Sequence, residues 1–423
     1  MTYIKNFEEL AINRKRHDAL QILNAGYEAI DTEKIIRSKI KINGNILVIE
    51  EKEFDLSEYE NIYFVGIGKC SLDAGGVLKE MLGDKIKRGI VIDVTEGEID
   101  GMETHVGTHP DPSEENISVG EKIADLLRSA TEKDLVLSVI SGGGSALLSL
   151  PYKIDCEGLI DITKKLTKKG ADIYELNTVR KHLSAIKGGN MAKMAHPAKM
   201  ISLIFSDVPN NDISVIASGP TVRDKTTIKE AEDVLNKYDL WNEDISSFLA
   251  ETPKEEEWFN NVENFLILTN KDAVVAMEEK AKELGYEIIP GKASVSGEAK
   301  SVGEEFAKTD LLPNQVKISA GETTVKISGS GKGGRNQEVT LSALVHLPPN
   351  FVFISAASDG RDNSDVAGAL CDQEIKVNVE KLHLDPKRFI AENDSYNFFT
   401  QTGGHILTGP TGSNVSDLYI LLN

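Results

Sequence analysis

From residue 62 onward the chain repeats one rhythm: a short apolar run, a turn that is often glycine or polar, then a helical pattern. The runs lie at 62–67, 89–94, 135–140 and 201–205, and helices are expected at 114–130, 157–170, 173–195 and 227–239. Strands that are apolar on both faces must be covered on both faces, the condition of a parallel sheet held between layers of helix. Before this series, residues 13–30 read as an amphipathic helix with Ala19, Leu20, Ile22, Leu23, Tyr27 and Ile30 on one side. Residues 40–42 and 46–49 flank Asn43-Gly44 and read as a hairpin, because Asn-Gly supplies the positive φ of a tight turn.

Residues 242–261 carry Pro253 and the acidic run Glu255-Glu256-Glu257 with no sustained apolar period, and are expected to be a linker. A second series follows, with strands at 265–268, 324–327 and 351–356 and helices at 271–284, 299–308 and 336–347. The expected architecture is α/β in two domains. Residues 1–245 form a Rossmann-like, mostly parallel sheet flanked by helices, residues 260–423 a smaller α/β domain, and a cleft lies between them. The 423 residues suffice for two cores.

Acidic residues outnumber basic ones 67 to 47, a net charge of -20. Such a field repels nucleic acid and anionic lipid, so neither is expected as a partner, and a phosphate-bearing ligand needs a locally basic pocket. Cys70, Cys156 and Cys371 are too few and too scattered for a disulfide framework or a CxxC metal knot. No apolar run approaches the roughly 18 residues of a membrane helix, and the first residues are too charged for a signal peptide, so a cytoplasmic protein is expected. Homodimer formation is compatible with the sequence and not specified by it.

Ligands of open α/β sheets sit beyond the carboxyl ends of strands, where helix N-termini present unpaired N–H groups to anions. Val65-Gly66-Ile67-Gly68-Lys69-Cys70-Ser71 closes a strand and places Lys69 at the turn; a tight turn with a solvated lysine is the alternative. Ser141-Gly142-Gly143-Gly144-Ser145 offers a concave row of N–H donors, or else allows a helix to pack closely on its strand. The run from Gly329 to Gly334 contains G-x-G-x-x-G, with Asp359 beyond it, and would pass for a dinucleotide fingerprint. G-x-x-x-x-G-K-[ST] occurs nowhere, which excludes a P-loop kinase at the motif level.

Lys69, Arg180, Lys181, Lys187, Lys332 and Arg335 are candidate cations for phosphoryl transfer, a reaction that needs positioned positive charge more than covalent help. Arg180 and Lys181 read equally as solvated charges on a helix. Asp207 and the group Asp359, Asp362 and Asp365 offer hard oxygen ligands for Mg²⁺, or form ordinary Asp-rich turns. His105 and His109 are four apart, but the following prolines preclude a helical zinc pair. A rigid loop offering His109 to a substrate carboxylate and a purely structural proline turn both remain open. No G-x-S-x-G elbow places a nucleophilic serine.

Taken together, these motifs resemble one family, the glycerate 2-kinases, two-domain proteins whose C-terminal half is the MOFRL domain. The resemblance is carried by Gly66-Ile67-Gly68-Lys69, Gly107-Thr108-His109-Pro110-Asp111-Pro112, the 141–146 loop, residues 176–184, and Ser206-Asp207-Val208-Pro209. It continues through Gly321-Glu322-Thr323-Thr324, residues 333–338, Ser358-Asp359-Gly360 and residues 408–418, in collinear order over nearly the whole chain. It departs at Asn210-Asn211-Asp212, where Gly-Asp-Asp is usual, and at the Cys-Ser after Lys69.

The resemblance implies ATP- and Mg²⁺-dependent phosphorylation of D-glycerate on its 2-hydroxyl, in a cleft between the domains. It implies catalytic roles for Lys69 and Arg335 on the transferring phosphate. Asp207 is expected as proton acceptor and, with Asp359, as a metal-positioning group. Ser141, Gly142, Gly143, Gly144, Ser145, Asn177 and Lys181 are expected at the nucleotide, and His109, Arg180, Glu322 and Asn336 at the substrate. A nicotinamide-dependent hydroxypyruvate reductase and a nucleotide-sensing protein without turnover are the competing readings.

Overall fold

In the computed structural model, which describes residues 2–208 and 211–423, the apolar runs become the centre of a six-stranded sheet. The chain divides into two compact units. One comprises Thr32–Ser206 and Asn211–Ile267; the other comprises the chain up to Asp31, the stretch beginning at Asp207, and Leu268–Asn423. Pro209 and Asn210, quoted above in two motifs, lie outside the described residues.

The first unit opens with an antiparallel ribbon, β1 Ile40–Asn43, β2 Ile46–Ile49 and β3 Lys52–Asp55, whose first turn is the expected Asn43-Gly44 with Gly44 at φ +66°. The main strands are β4 Asn61–Ile67, β5 Ile86–Asp93, β6 Met102–Val106, β7 Asp134–Ile140, β8 Lys199–Phe205 and β9 Val262–Leu268. They lie in the order β6-β5-β4-β7-β8-β9, parallel from β6 through β8. β7 is buried at all its positions, as an all-apolar run between helix layers requires. Helices Glu114–Arg128, Cys156–Lys168 and Ile228–Lys237 fall where periodicity placed them.

Two expectations in this unit are corrected. The single helix expected at 173–195 is two, Ile173–His182 and Asn190–Ala195, separated by a turn in which Gly188 and Gly189 take φ +58° and +87°. Two consecutive left-handed residues cannot continue a right-handed helix. Nor is 242–261 a linker: Leu249 packs into a core with Leu176, Val179 and Leu235, and Thr252 is buried against Asp224. Its acidic surface hid a packed inner side.

The second unit holds β10 Glu287–Ile289, β11 Val295–Glu298, β12 Gln315–Thr324, β13 Val352–Ala357, β14 Gly368–Cys371, β15 His405–Ile406 and β16 Asp417–Leu422. Their order is β10-β12-β16-β13-β14-β15, with β11 also on β12, and β16 runs antiparallel to both its neighbours. The strand expected at 324–327 begins where β12 ends, and Ile327 is 80% exposed. Helices Asn270–Glu283, Ala299–Ala307 and Arg335–His346 match expectation.

The contiguous division into 1–245 and 260–423 is not the division of the structure, because helix Arg14–Ala29 belongs to the second unit. It packs on Asn270–Glu283, so closely that a Cβ on Gly26 would meet Met277 Sδ at 2.7 Å. Arg16 grips Asp372 through two hydrogen bonds of 2.7 and 2.6 Å, both residues buried, and Tyr27 donates to the Ala357 carbonyl at 3.0 Å. Leu23 is fully buried. Leu23→Ala is expected to lower stability by about 2–5 kcal/mol, read in the denaturant transition of the second unit.

Candidate functional site

Strand order dictates where the first unit can bind a ligand. From β4 the chain steps outward to β5 and β6 on one side; it then returns to β7 on the other side of β4 and proceeds to β8 and β9. Between the carboxyl ends of β4 and β7 the loops part in opposite directions, which opens a crevice. The loops leaving those two strands are Gly68-Lys69 and Ser141–Ser145, the two glycine loops singled out from the sequence.

They are joined to each other. Lys69 N–H donates to the Gly142 carbonyl at 2.9 Å and Ser141 N–H to the Ile67 carbonyl at 2.9 Å. Gly68 takes φ +113°, and a Cβ there would stand 2.6 Å from the Ser141 carbonyl oxygen. Glycine is therefore required twice over, by backbone conformation and by space. Gly143 takes φ +82° at the entry to the short helix Gly144–Leu147. A Cβ on it would meet Lys69 Cγ at 3.1 Å and His109 Cδ2 at 3.3 Å, so both side chains flank this glycine. Asn116 fixes the histidine loop by donating to the Thr108 and Ala146 carbonyls, each at 3.0 Å, and accepting the Thr108 N–H at 2.9 Å. Sequence reasoning missed Asn116, whose signal was only a polar residue in the first turn of an otherwise apolar helix face.

Beyond the loop, Ser145 Oγ lies 3.1 Å from Ser218 Oγ, and Ser218 donates to Asn177 Oδ1 at 2.7 Å. The Asn177 amide nitrogen is buried and has no hydrogen-bond partner among the described residues. Arg180 follows one turn later on the same helix. Burial pushes its pKa down, opposed by the charge of Asp111. Lys187 is 3% exposed, and burial together with the nearby Arg180 pushes its pKa down to about 7. Lys181 differs: it is paired with buried Asp224 at 3.2 Å, which Thr226 and Thr252 also hold. Its engagement there argues for a structural part rather than the nucleotide contact expected of it. Ser218 was missed, although Ala217, Ser218 and Gly219 all take positive φ and the Ser-Gly-Pro sequence is a turn signal.

The second unit gathers a different set. Arg335, at the start of its helix, makes a two-pronged contact with Asp417 at 2.6 and 3.0 Å and an ion pair with Glu322 at 2.5 Å. Burial lowers the guanidinium pKa, but the charge and hydrogen bonds of Asp417 outweigh it, and Arg335 stays protonated. Among the described residues three of its five N–H donors are so engaged, which leaves two for a ligand. Burial raises the Glu322 pKa, Arg335 opposes it, and the negative charges of Asp417, Asp207 and Asp359 add to it. Asp207 and Asp359 are thus electrostatic neighbours of Glu322. Asn336 is fully buried and saturated: its amide donates to Asp417 at 2.9 Å and to Asp362 at 3.3 Å, and its oxygen accepts from Ser355 at 2.6 Å. This makes Asn336 a brace for Asp417 and not a free substrate contact. Asp362, whose buried carboxyl is pushed up to about 6, accepts the Asn336 and Gln337 backbone N–H groups at the helix start.

The G-x-G-x-x-G run has no room to act as a dinucleotide loop on the face where its glycines sit. A Cβ on Gly329 would lie 2.3 Å from the Glu392 carbonyl oxygen, one on Gly331 within 2.6 Å of Asp394 Cα, and one on Gly334 2.2 Å from the Asp362 carbonyl oxygen. The first two admit the backbone of Glu392 and Asp394, and the third admits Asp362. Asn393 and Asp394 bind the loop's N–H groups, and Lys332 lies over the Tyr396 ring. The reductase reading loses its structural support. Among the described residues no group of three or more His, Cys, Asp or Glu side chains is arranged to hold a metal, and no helix is long and apolar enough to cross a membrane. The three cysteines are buried and unlinked.

Residues 18–250 match a family model described as a domain of unknown function, DUF4147, and residues 315–417 match the MOFRL family. The D-glycerate 2-kinase of Thermotoga maritima is 34% identical over 421 residues, covering 95% of this chain and 97% of that protein. The glycerate 2-kinase of Pyrococcus horikoshii is 32% identical, covering 96% and 97%. A crystal structure of the Thermotoga maritima glycerate kinase superposes with a TM-score of 0.84 at 33% identity, covering 96% of this chain and 98% of the other.

Gly68→Ala tests the coupling between the two loops. It is expected to destabilise the first unit by roughly 1–3 kcal/mol and to raise the Kd for ATP in calorimetry, because the Ser141 loop must move to admit a methyl group.

Proposed function

We propose that this chain, which belongs to the glycerate 2-kinase family, phosphorylates D-glycerate on its 2-hydroxyl with ATP, yielding 2-phosphoglycerate and ADP. The observation that carries the reading is the convergence of Lys69, His109 and the Ser141–Ser145 loop at the carboxyl ends of β4 and β7, in a chain alike to those kinases over nearly its whole length.

In the reaction a bond forms between the glycerate 2-oxygen and the γ-phosphorus, the bond from that phosphorus to the β,γ-bridging oxygen breaks, and the hydroxyl proton leaves. The loop from Ser141 to Ser145 receives nucleotide phosphates. The Lys69 ammonium neutralises charge on the transferring group, and Arg335, which Asp417 and Glu322 hold and which keeps two N–H donors spare, is the second cation assigned to it. Asp207 accepts the hydroxyl proton. Mg²⁺ needs only one or two carboxylates besides phosphate oxygens, and Asp207 and Asp359, both in the electrostatic neighbourhood of Glu322, would hold it. When bound it supplies further neutralisation at the phosphates.

Incubation with D-glycerate, ATP and Mg²⁺ is expected to give 2-phosphoglycerate by NMR; 3-phosphoglycerate would overturn the regiochemistry, and NADH-dependent reduction of hydroxypyruvate would overturn the kinase reading. Lys69→Ala and Arg335→Ala are each expected to lower kcat about 10²–10³-fold with little change in KM. Either variant retaining normal kcat removes that residue from catalysis. Asp207→Asn and Asp359→Asn are expected to shift the Mg²⁺ concentration giving half-maximal rate; an unshifted titration removes both from the metal.

A further inference from the structure

Two cations in the first unit, one buried and one half-buried, have no salt-bridge partner among the described residues. Lys187 is 3% exposed, and among the described residues its ammonium has no hydrogen bond and no ion pair. Arg180, half-buried and close enough to depress the lysine further, likewise has no hydrogen bond or ion pair among the described residues, and its charge is met only by the field of Asp111. Burying one unpaired ammonium is costly, and a second positive charge beside it adds to the cost. The neighbouring cations of this kind in the fold are treated otherwise: Lys181, six positions earlier, is neutralised by Asp224.

The surroundings are built and not accidental. Lys187 precedes the left-handed pair Gly188-Gly189, whose N–H groups donate to the Ser218 and Gly219 carbonyls at 3.0 and 2.9 Å. Its own backbone is tied at both ends, the N–H to Ser184 Oγ at 3.3 Å and the carbonyl to the Asn190 amide at 2.9 Å. The lysine is therefore anchored beside Ser218, which bonds to both Ser145 and Asn177. Asn177 leaves a buried N–H₂ without an acceptor, and it shares a helix face with Arg180 three residues on. One ammonium, one guanidinium and one orphaned amide donor lack acceptors in one region of the same unit. What would satisfy all three is an oxyanion.

We infer that Lys187, with Arg180 and Asn177, forms the seat of the carboxylate of the hydroxy-acid substrate. The inference rests on the kinase reading for the identity of that acid. A carboxylate suits the place better than a transferring phosphoryl group, because a rigidly anchored buried seat serves a group that stays put while the phosphoryl moves. Lys187 is thereby a substrate-binding residue, which the motifs quoted from the sequence did not include.

A seat of this kind leaves a signature that a structural lysine does not. In the free protein the native state disfavours the charged lysine, whose pKa is about 7 against 10.5 in the ordinary case. The unfolded chain then holds more protons between those values, so stability rises with pH across that window, and the full cost is present below pH 7. The charged groups nearby are Arg180, which does not titrate there, Asp111, whose charge acts on Arg180, and the neutralised Lys181–Asp224 pair.

The test uses the full chain with Lys187→Met and Lys187→Gln, read by thermal unfolding, calorimetry and steady-state kinetics. Lys187→Met is expected to raise Tm of the ligand-free protein by roughly 2–4 °C or more, with the gap shrinking above pH 7. Both variants are expected to weaken D-glycerate binding by about 30- to 1,000-fold while ATP affinity stays within about twofold. A lower Tm with unchanged glycerate affinity makes Lys187 structural and overturns the proposal. A loss confined to ATP assigns the seat to the donor's phosphates and overturns it too. Should one variant fail to fold, the other and Asn177→Ala decide, since calorimetry needs no turnover. Wild-type protein that binds D-glycerate but transfers no phosphate sinks the kinase reading alone; normal turnover with indifferent Lys187 variants sinks this inference alone.

Discussion

The structure of the first unit depends on one close approach, the backbone of Gly68 against the carbonyl of Ser141. A parallel sheet whose strands leave in opposite directions from β4 and β7 opens a crevice at their carboxyl ends. Only a residue without Cβ, at φ +113°, lets the two exiting loops share hydrogen bonds across it. That contact aligns the Lys69 stem with Gly143, and Asn116 then brings the His109 loop to the same place. The meeting of these loops follows from sheet topology before any side chain is considered.

The two units handle charge in opposite ways. In the second, Arg335 is surrounded by carboxylates, and the negative charges of Asp207, Asp359 and Asp417 add to burial in raising the Glu322 pKa. In the first, Lys187 is buried and Arg180 half-buried with no ion pair among the described residues, and only the field of Asp111 opposes the burial of Arg180. For a chain with a net charge of -20 this is a marked local reversal. An excess of positive charge that lowers stability when empty is the kind of local conflict that functional sites retain, because a bound anion relieves it.

How much of this was legible in the chain varied with the range of the interactions involved. The strands from β4 to β8 were readable because burial on both faces leaves continuous apolar runs, and the hairpin because Asn43-Gly44 specifies its turn. The glycine loops after β4 and β7 were readable from composition and position as turns that close strands and open helices, and the structure joins them to each other. By contrast the G-x-G-x-x-G run looked like a ligand loop, while Gly329 and Gly331 answer to the Glu392 and Asp394 backbone and Gly334 to Asp362. Asn336, expected at the substrate, is consumed by Asp362, Asp417 and Ser355, and Lys181 by Asp224. Such partners lie tens of residues away, and local pattern carries no trace of them.

The amino-acid order alone determined the α/β class, the parallel core and the residue types able to meet phosphate, because hydrophobic period and turn chemistry act over a few neighbours. Tertiary structure decided which cations are neutralised and which are left wanting an anion, and it assigned helix Arg14–Ala29 to the unit built mainly from the second half of the chain. Charge compensation and helix docking depend on distances through space between segments far apart in sequence, and only the folded chain sets those distances.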